Sequence, residues 1–262
     1  MEYNSERSDL NLFLITYYLF LKNGGLNMKE TIVTIPINDL FAPKCGCPAC
    51  RMENMLEKQY VGFVTGDAMM EPNIRIETNK KGFCRRHFLQ MSQTGQKLPN
   101  ALILETHLQE ITDKYMPKKP NSKPDKKALA SIGNVLNSCY VCDRIESDMY
   151  HLMATVFIEW VKGGEFRKLY KDQPFICLKH YKFIMEAAMA KGSIPSKHLA
   201  EFHADTAELT KNYLASLKND ISHIISMYDY RNRGGDWGTS VDAVERSIDF
   251  LTGADFTENN DE

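Results

Sequence analysis

The sequence lacks most of the features that assign a protein to a large functional class. Its 34 acidic and 32 basic residues leave a net charge of −2, so no excess positive charge favours nucleic acid or anionic lipid. It contains no phosphate-binding glycine loop, no nucleophile-elbow serine motif and no paired-histidine protease motif. We therefore expect a non-enzymatic protein without a nucleic-acid or membrane partner.

Long apolar runs are also missing. The longest, LNLFLITYYLFL at residues 10–21, is shorter than the roughly 20 residues that span a bilayer, and it has neither a basic leader nor a cleavage site. The codons of Gly24 and Gly25 can encode a ribosome-binding sequence ahead of Met28. Our hypothesis is that translation starts at Met28 and that residues 1–27 form a non-native or disordered extension. The alternative is an amphipathic N-terminal helix that packs on the core.

Seven cysteines are an odd number, which does not suit a framework of paired disulfides. Without a secretory signal, we expect a reducing cytoplasmic location, in which clustered cysteines bind metals or carry out redox chemistry. At 262 residues and 43% hydrophobic composition, the chain is long enough to bury a substantial core.

Six of the seven cysteines belong to two copies of a C-x2-C…C-x2-H pattern. The first copy consists of Cys47, Cys50, Cys84 and His87, and the second of Cys139, Cys142, Cys177 and His180. The similarity extends further, because residues 98–115 align with residues 194–213. A duplication therefore predicts a first repeat at 28–115 and a second at 128–253. A Lys/Pro-rich linker lies between them at 116–127, and an acidic tail follows at 254–262.

Apolar residues recur at three- and four-residue steps through most of the chain, which predicts helices. Extended structure is predicted only for TIVTIPI (31–37) and NIRIET (73–78), and a last helix is predicted to begin with Thr239 as N-cap and Asp242 as its capping-box partner. The positions predicted to face inward are Leu102, Leu104, His107, Leu108 and Ile111; Ile145, Met149, Leu152, Met153, Val156 and Phe157; and Leu199, Phe202, Leu209, Leu214, Leu217, Ile221 and Ile225. The fold class is mainly α: two related helical repeats, each stapled by one Cys3His zinc site, packed into one body.

Three cysteines and one histidine form a common tetrahedral zinc site. A C-x-x-C turn brings two sulfurs to one metal, and a C-x-x-H pair in the first turn of a helix directs both ligands to one face. We therefore expect two zinc ions per chain, one in each repeat. The basic residues near the motifs can balance part of the thiolate charge; they are Arg51, Arg85, Arg86, Arg144 and Lys179.

Other interpretations of the cysteines remain open. The motif Cys47-Pro48-Ala49-Cys50 resembles a glutaredoxin-like redox dithiol, although the βαβ setting of that chemistry is not visible in the sequence. An iron–sulfur cluster also accepts three cysteines and one histidine. Cys45 either substitutes for Cys47 as a ligand or is a free thiol.

The duplicated motifs and the tail DYR…W…ER-x-I-x-F-L-x-G resemble a bacterial family known only as a domain of unknown function. The resemblance covers most of residues 30–253. It implies a mostly helical, zinc-binding domain with the eight Cys and His residues above as ligands, and it brings no established activity.

These observations favour a non-enzymatic zinc-binding helical protein that acts as an interaction or ligand-binding module for a protein or small-molecule partner. One alternative is a thiol- or metal-responsive sensor, in which Cys45 and the zinc thiolates are oxidised and zinc is released. Another is an enzyme that uses a cleft between the repeats.

Overall fold

The protein is mainly helical, as the sequence predicts, and the computed structural model describes residues 34–66, 70–119 and 123–254. No strand occurs among these residues. The eleven α-helices of the described chain are α1 (Thr34–Phe41), α2 (Pro48–Thr65), α3 (Pro72–Lys81), α4 (Arg85–Gln93), α5 (Lys97–Tyr115), α6 (Lys126–Leu136), α7 (Tyr140–Lys162), α8 (Gly164–Lys171), α9 (Leu178–Met189), α10 (Ser196–Met227) and α11 (Ala243–Thr252). The predictions for residues 1–27, and for the tail beyond residue 254, lie outside the described residues.

The chain divides into two compact units. Among the described residues, unit 1 consists of 34–54 and 149–254, and unit 2 lies between them in the chain, from Met55 to Asp148. Helix α2 begins in unit 1 and ends in unit 2, whereas α7 begins in unit 2 and ends in unit 1. These units do not coincide with the predicted repeats at 28–115 and 128–253, which remain a prediction about sequence duplication.

The core of unit 1 is aromatic. The ring of Phe202 on α10 lies 5.1 Å from that of Trp160 and 5.3 Å from that of Phe157, both on α7, and 5.5 Å from that of Tyr170 on α8. All four side chains are buried. Such edge-to-face and tilted ring pairs add to the free energy gained by burying apolar area. The inward face predicted for α7 is confirmed at five positions, Ile145, Met149, Met153, Val156 and Phe157, whereas Leu152 is half-buried.

Helix α10 is one continuous helix of 32 residues. Phe202 and Leu217 are buried as predicted, but Leu214 and Ile225 are exposed, so the predicted inward face is wrong at these two positions. In its C-terminal half, α10 contacts α11 through the Arg246–Asp220 ion pair, and it contacts the 3-10 turn Gly238–Ser240 through Asp220 and His223. A continuous apolar periodicity along a long helix therefore predicts a longer buried face than the helix has.

Both predicted extended segments are wrong over their described residues; residues 31–33 of the first lie outside them. Residues 34–41 form α1, and residues 72–81 form α3, which starts with Pro72 at its first position and ends before Gly82. Proline suits the first helical position because the N–H that it lacks would have no partner within the helix. Apolar alternation over five or six residues is too short to distinguish a strand from one face of a helix.

Unit 2 packs α3 against α5 through polar contacts. The Arg75 guanidinium donates to the backbone carbonyl of Leu102 and to the hydroxyl of Thr106, and His107 Nδ1 lies 2.9 Å from the carbonyl oxygen of Asn79. On α5 the buried residues are Ile103 and His107. Of the predicted inward residues, His107 is buried as predicted, whereas Leu104 and Leu108 are exposed, so the predicted face of α5 is wrong at these two positions.

The C-terminal helix also starts later than predicted. Thr239 lies in a 3-10 turn at Gly238–Ser240 and donates to Asp220, while Asp242 is the N-cap of α11. The capping box predicted at Thr239 is therefore wrong. Within the described residues, no helix has the length and apolar character needed to cross a membrane.

Candidate metal centres

The eight residues predicted as metal ligands lie in two clusters of four, but not in the predicted grouping. Site 1 consists of Cys47, Cys50, Cys177 and His180, and site 2 consists of Cys84, His87, Cys139 and Cys142. Each cluster takes its C-x-x-C pair from one predicted repeat and its C-x-x-H pair from the other. The prediction that each repeat has its own site is therefore wrong.

The crossed grouping coincides with the division into two units, and α2 belongs to both of them. This helix has 18 residues and is about 27 Å long at 1.5 Å per residue. It contains Cys50 in unit 1 and ends in unit 2, the unit that contains Cys84. Site 1 lies wholly within unit 1 and site 2 wholly within unit 2.

All four ligand pairs are built in the same way, at the N-terminus of a helix. Cys84 and Cys177 are the N-caps of α4 and α9, and Cys47 and Cys139 directly precede α2 and α7. In each case the carbonyl of this first ligand accepts a backbone hydrogen bond from the residue four positions later. The second ligand of each pair lies in the first helical turn. The positive end of the helix dipole therefore faces every ligand pair, which favours thiolate anions.

In site 1 the imidazole Nδ1 atom of His180 faces the three sulfurs. It lies 3.2 Å from Cys177 Sγ, 3.3 Å from Cys50 Sγ and 3.9 Å from Cys47 Sγ. The sulfurs of Cys50 and Cys177 are 3.7 Å apart.

Site 2 has nearly the same dimensions. His87 Nδ1 lies 3.2 Å from Cys139 Sγ, 3.3 Å from Cys84 Sγ and 3.4 Å from Cys142 Sγ. The sulfurs of Cys84 and Cys142 are 3.9 Å apart.

These distances match the edges of a tetrahedron around zinc. Zn–S bonds of about 2.3 Å and Zn–N bonds of 2.0–2.1 Å place two sulfurs about 3.8 Å apart, and a sulfur and a nitrogen about 3.6 Å apart. In each cluster the four ligand atoms all lie within 4.8 Å of one another. Both clusters can therefore hold a metal ion, and the donor set of three sulfurs and one nitrogen suits zinc.

A carboxylate fixes the orientation of each imidazole. His87 Nε2 lies 2.9 Å from the Glu57 carboxylate, and His180 Nε2 lies 3.3 Å from the Glu53 carboxylate. Because a carboxylate only accepts, Nε2 carries the proton and Nδ1 remains the ligand atom. Sequence reasoning missed both carboxylates. Their signal was present, since Glu53 and Glu57 follow Cys50 by three and seven residues on the same face of α2.

The two carboxylates are held in place by bases. Glu53 accepts from Lys179 at 2.5 Å, and Glu57 accepts from Arg86 at 2.7 Å. Burial opposes ionisation of Glu53, but its hydrogen bonds with His180 and Lys179 outweigh burial and lower the pKa of Glu53 to about 2. Two of the basic residues noted in the sequence thus act on the sites through carboxylates.

The electrostatics of both clusters favour a bound cation. In site 2, burial lowers the pKa of His87, but hydrogen bonds with Cys139 and Glu57 outweigh it and raise the pKa to about 10. The hydrogen bond from Cys142 and that from His87 lower the pKa of Cys139 to about 3. In site 1, burial likewise lowers the pKa of His180, but hydrogen bonds with Cys177, Cys47 and Glu53 outweigh burial and raise the pKa to about 11. In each cluster one sulfur therefore holds negative charge, Cys47 in site 1 and Cys139 in site 2, while hydrogen bonds with neighbouring cysteines raise the pKa of Cys50 and of Cys142. A metal ion binds such a cluster in competition with protons.

Backbone contacts position the ligand segments of site 2. The carbonyl of Gly82 accepts from the N–H of Tyr140, and the hydroxyl of Ser138 donates to the carbonyl of Lys81. These bonds join the segment that precedes Cys84 to the segment that contains Cys139. Gly82 has a φ of +66°, and an added Cβ would lie 2.9 Å from the ring of His107, so only glycine fits.

Site 1 is supported differently. The residue that corresponds to Tyr140 is Pro48, which has no N–H to donate. Instead, the Arg51 guanidinium donates to the carbonyls of Leu40, Pro43 and Cys45, which holds the loop that leads to Cys47.

The remaining sequence candidates lie outside both clusters. Cys45 is exposed and belongs to neither site, so it is a free thiol rather than a substitute for Cys47. None of the other five histidines of the described chain joins a cluster. Three of them have their own hydrogen bonds: His107 with Asn79, His203 with Tyr181, and His223 with Ser240.

The two clusters differ in how far their ligands are exposed to solvent. In site 1 all four ligands are buried. In site 2, His87 and Cys139 are buried, Cys84 is half-buried and Cys142 is exposed. The same ligand set thus occurs once inside a core and once with one edge facing solvent.

Comparison with protein families identifies the group to which the chain is related. Residues 28–258 match the model described as Family of unknown function (DUF6062). The chain belongs to this family. No curated protein and no solved structure matches the chain. Membership in DUF6062 agrees with the resemblance to an uncharacterised family and assigns no activity, so the candidate function depends on the two clusters.

Proposed function

We propose that this DUF6062 member is a non-enzymatic, cytoplasmic bacterial protein that binds two zinc ions per chain and acts as an interaction or ligand-binding module. The observation that carries the proposal is the pair of clusters, each with three sulfurs and one imidazole nitrogen at tetrahedral spacing. The carboxylate behind each imidazole adds support, because metal-binding histidines usually donate their second N–H to such a group.

Four protein ligands favour a structural rather than a catalytic metal. A catalytic zinc usually has three protein ligands and an open position for water or substrate. In both clusters a fourth protein ligand would fill that position. Each metal would instead fasten together helix N-termini that are distant in sequence, so its binding free energy becomes folding free energy.

An interaction role is supported by the exposed surface of α11. Its buried face carries Ala243 and Phe250, whereas Val244, Ile248 and Leu251 form an exposed apolar row at steps of four and three residues. Such a row is the pattern by which one amphipathic helix binds another.

Metal content per chain tests the proposal directly. Elemental mass spectrometry of the purified full chain should find two zinc ions, and addition of a strong chelator should lower the helical circular dichroism signal and the Tm. Absence of metal from chains with freely titrating thiols would overturn the proposal. Iron in place of zinc would overturn the choice of metal, and an unchanged fold after zinc removal would overturn the structural role.

A matched pair of double variants tests the grouping of the ligands. Cys47→Ser with Cys177→Ser alters site 1 alone, so one zinc per chain should remain. Cys47→Ser with Cys84→Ser alters both sites, so neither zinc should remain. Grouping by repeat predicts the opposite pair of results, and both variants carry the same number of substitutions.

A further inference from the structure

The exposed edge of site 2 is a pair of sulfurs. Cys142 is exposed and Cys84 is half-buried, and their Sγ atoms are 3.9 Å apart. The corresponding close pair in site 1, Cys50 and Cys177 at 3.7 Å, is buried. An oxidant from solvent can therefore reach a ligand pair in site 2 but not in site 1.

On the basis of the zinc occupancy proposed above, we propose that site 2 is a site of thiol oxidation, where a hydroperoxide converts Cys84 and Cys142 to a disulfide and the zinc is lost. Site 1 keeps its zinc under the same conditions. The protein would thus combine one permanent and one oxidant-sensitive metal centre.

The reaction needs one equivalent of hydroperoxide. With hydrogen peroxide, the Cys142 thiolate attacks one oxygen, the O–O bond breaks, and hydroxide leaves as Cys142 becomes a sulfenic acid. The Cys84 thiolate then attacks that sulfur, so an S–S bond forms and the sulfenic oxygen leaves as a second hydroxide. Two protons from solvent convert the hydroxides to water. The two sulfurs lose two electrons, and peroxide gains them.

Exposure favours Cys84 as the second sulfur, because Cys84 is half-buried whereas Cys139 is buried. The two Sγ atoms must approach by only about 2 Å to reach the S–S bond length of about 2.05 Å. Once both sulfurs are in a disulfide, site 2 retains one thiolate and one imidazole, which is too few ligands to hold a structural zinc. Cys45 is also exposed, but its oxidation leaves both ligand sets complete.

Peroxide treatment of the zinc-loaded full chain tests this assignment. Elemental analysis first counts the zinc ions per chain. A count below two contradicts the proposed function, whereas a count of two followed by no selective release contradicts the oxidation proposal alone. Hydrogen peroxide is then added, released zinc is followed with a chromogenic chelator, and disulfides are mapped by peptide mass spectrometry.

We expect one zinc per chain to be released at least about tenfold faster than the other, because thiol susceptibility follows exposure. A Cys84–Cys142 disulfide should form at the same rate, and dithiothreitol with added zinc should restore the starting state. Release of both ions at equal rates, a first disulfide among the site 1 cysteines, or no release would each overturn the proposal.

Two variants sharpen the assignment. Cys45→Ser removes the other exposed thiol and should leave the fast release unchanged. Cys142→Asp keeps an oxygen ligand for zinc and removes the reactive sulfur, so the fast phase should disappear. If Cys142→Asp does not fold, the disulfide map of the unmodified chain decides alone.

Discussion

Sites 1 and 2 have the same ligands on the same kind of helix N-terminus, yet they differ in their surroundings. Site 1 is buried within unit 1, whereas site 2 exposes Cys142 at the surface of unit 2. The loops that they close also differ, since Cys50 and Cys177 are 127 residues apart and Cys84 and Cys142 are 58 apart. The comparison teaches that one ligand set can occur in two different environments, and it predicts that the buried site is the more durable one.

The difference in loop length should contribute little to any difference in stability between the two sites. Closing the longer loop costs only about 0.7 kcal/mol more in chain entropy, since the cost grows with the logarithm of length. Structural zinc contributes on the order of 10 kcal/mol. We therefore expect burial of the ligands, rather than the length of the loop between them, to determine any difference in stability between the sites.

Substitution of one sulfur in each site should give the largest effects. Cys177→Ser should lower the free energy of unfolding by several kcal/mol, because it removes a fully buried ligand from site 1. Cys84→Ser should cost less, and its effect should be confined to unit 2 rather than to the N-terminal half of the chain. Chemical denaturation with zinc counted per chain checks both. Equal losses, or thermal stability equal to that of the parent, would contradict the comparison.

Gly82→Ala should give the next largest effect, again in unit 2. The positive φ and the 2.9 Å approach to His107 together should cost about 2–3 kcal/mol. Gly95→Ala is the matched control, since Gly95 has a φ of +73° but no neighbour within 4 Å of an added Cβ. Thermal unfolding should therefore show a smaller loss for Gly95→Ala, and a chelator competition should show weaker zinc binding only for Gly82→Ala.

Substitution of the carboxylates that contact the two imidazoles should have smaller effects, and these effects on zinc binding should differ between the sites. Glu57→Gln should weaken zinc binding at site 2 about tenfold, because it removes a buried charge that orients His87. Glu53→Gln should weaken site 1 less, since Glu53 is more exposed and lies farther from its histidine. Competition with a chromogenic chelator measures both. A larger loss of zinc affinity for Glu53→Gln than for Glu57→Gln would show that burial of the carboxylate does not determine how strongly it supports zinc binding.

Cys45→Ser should give the smallest effect. The side chain is exposed and lies outside both clusters, so the free energy of unfolding should change by less than about 0.5 kcal/mol. Elemental analysis should still find both zinc ions. Loss of one of them would assign Cys45 to site 1 and require a new ligand set there.

The sequence predicted the ligand candidates and the helical class more reliably than their arrangement. Spacing of C-x-x-C and C-x-x-H is local information, and a helix N-terminus satisfies it for all four pairs. Which pairs meet depends on how the chain between them folds, and both groupings use equal numbers of cysteines and histidines. Short segments failed for a related reason, because 73–78 fits a strand pattern as well as the exposed face of α3.

The crossed ligand sets give the linker an unusual role. Both sites take two ligands from before residues 116–127 and two from after them, so every metal would bridge that segment. A chain cut within it would remain one assembly of two complementary fragments, held by two removable cross-links as well as by its packed core. Removal of the metals would leave only noncovalent packing between the fragments, so chelation and cleavage together should be far more disruptive than either alone.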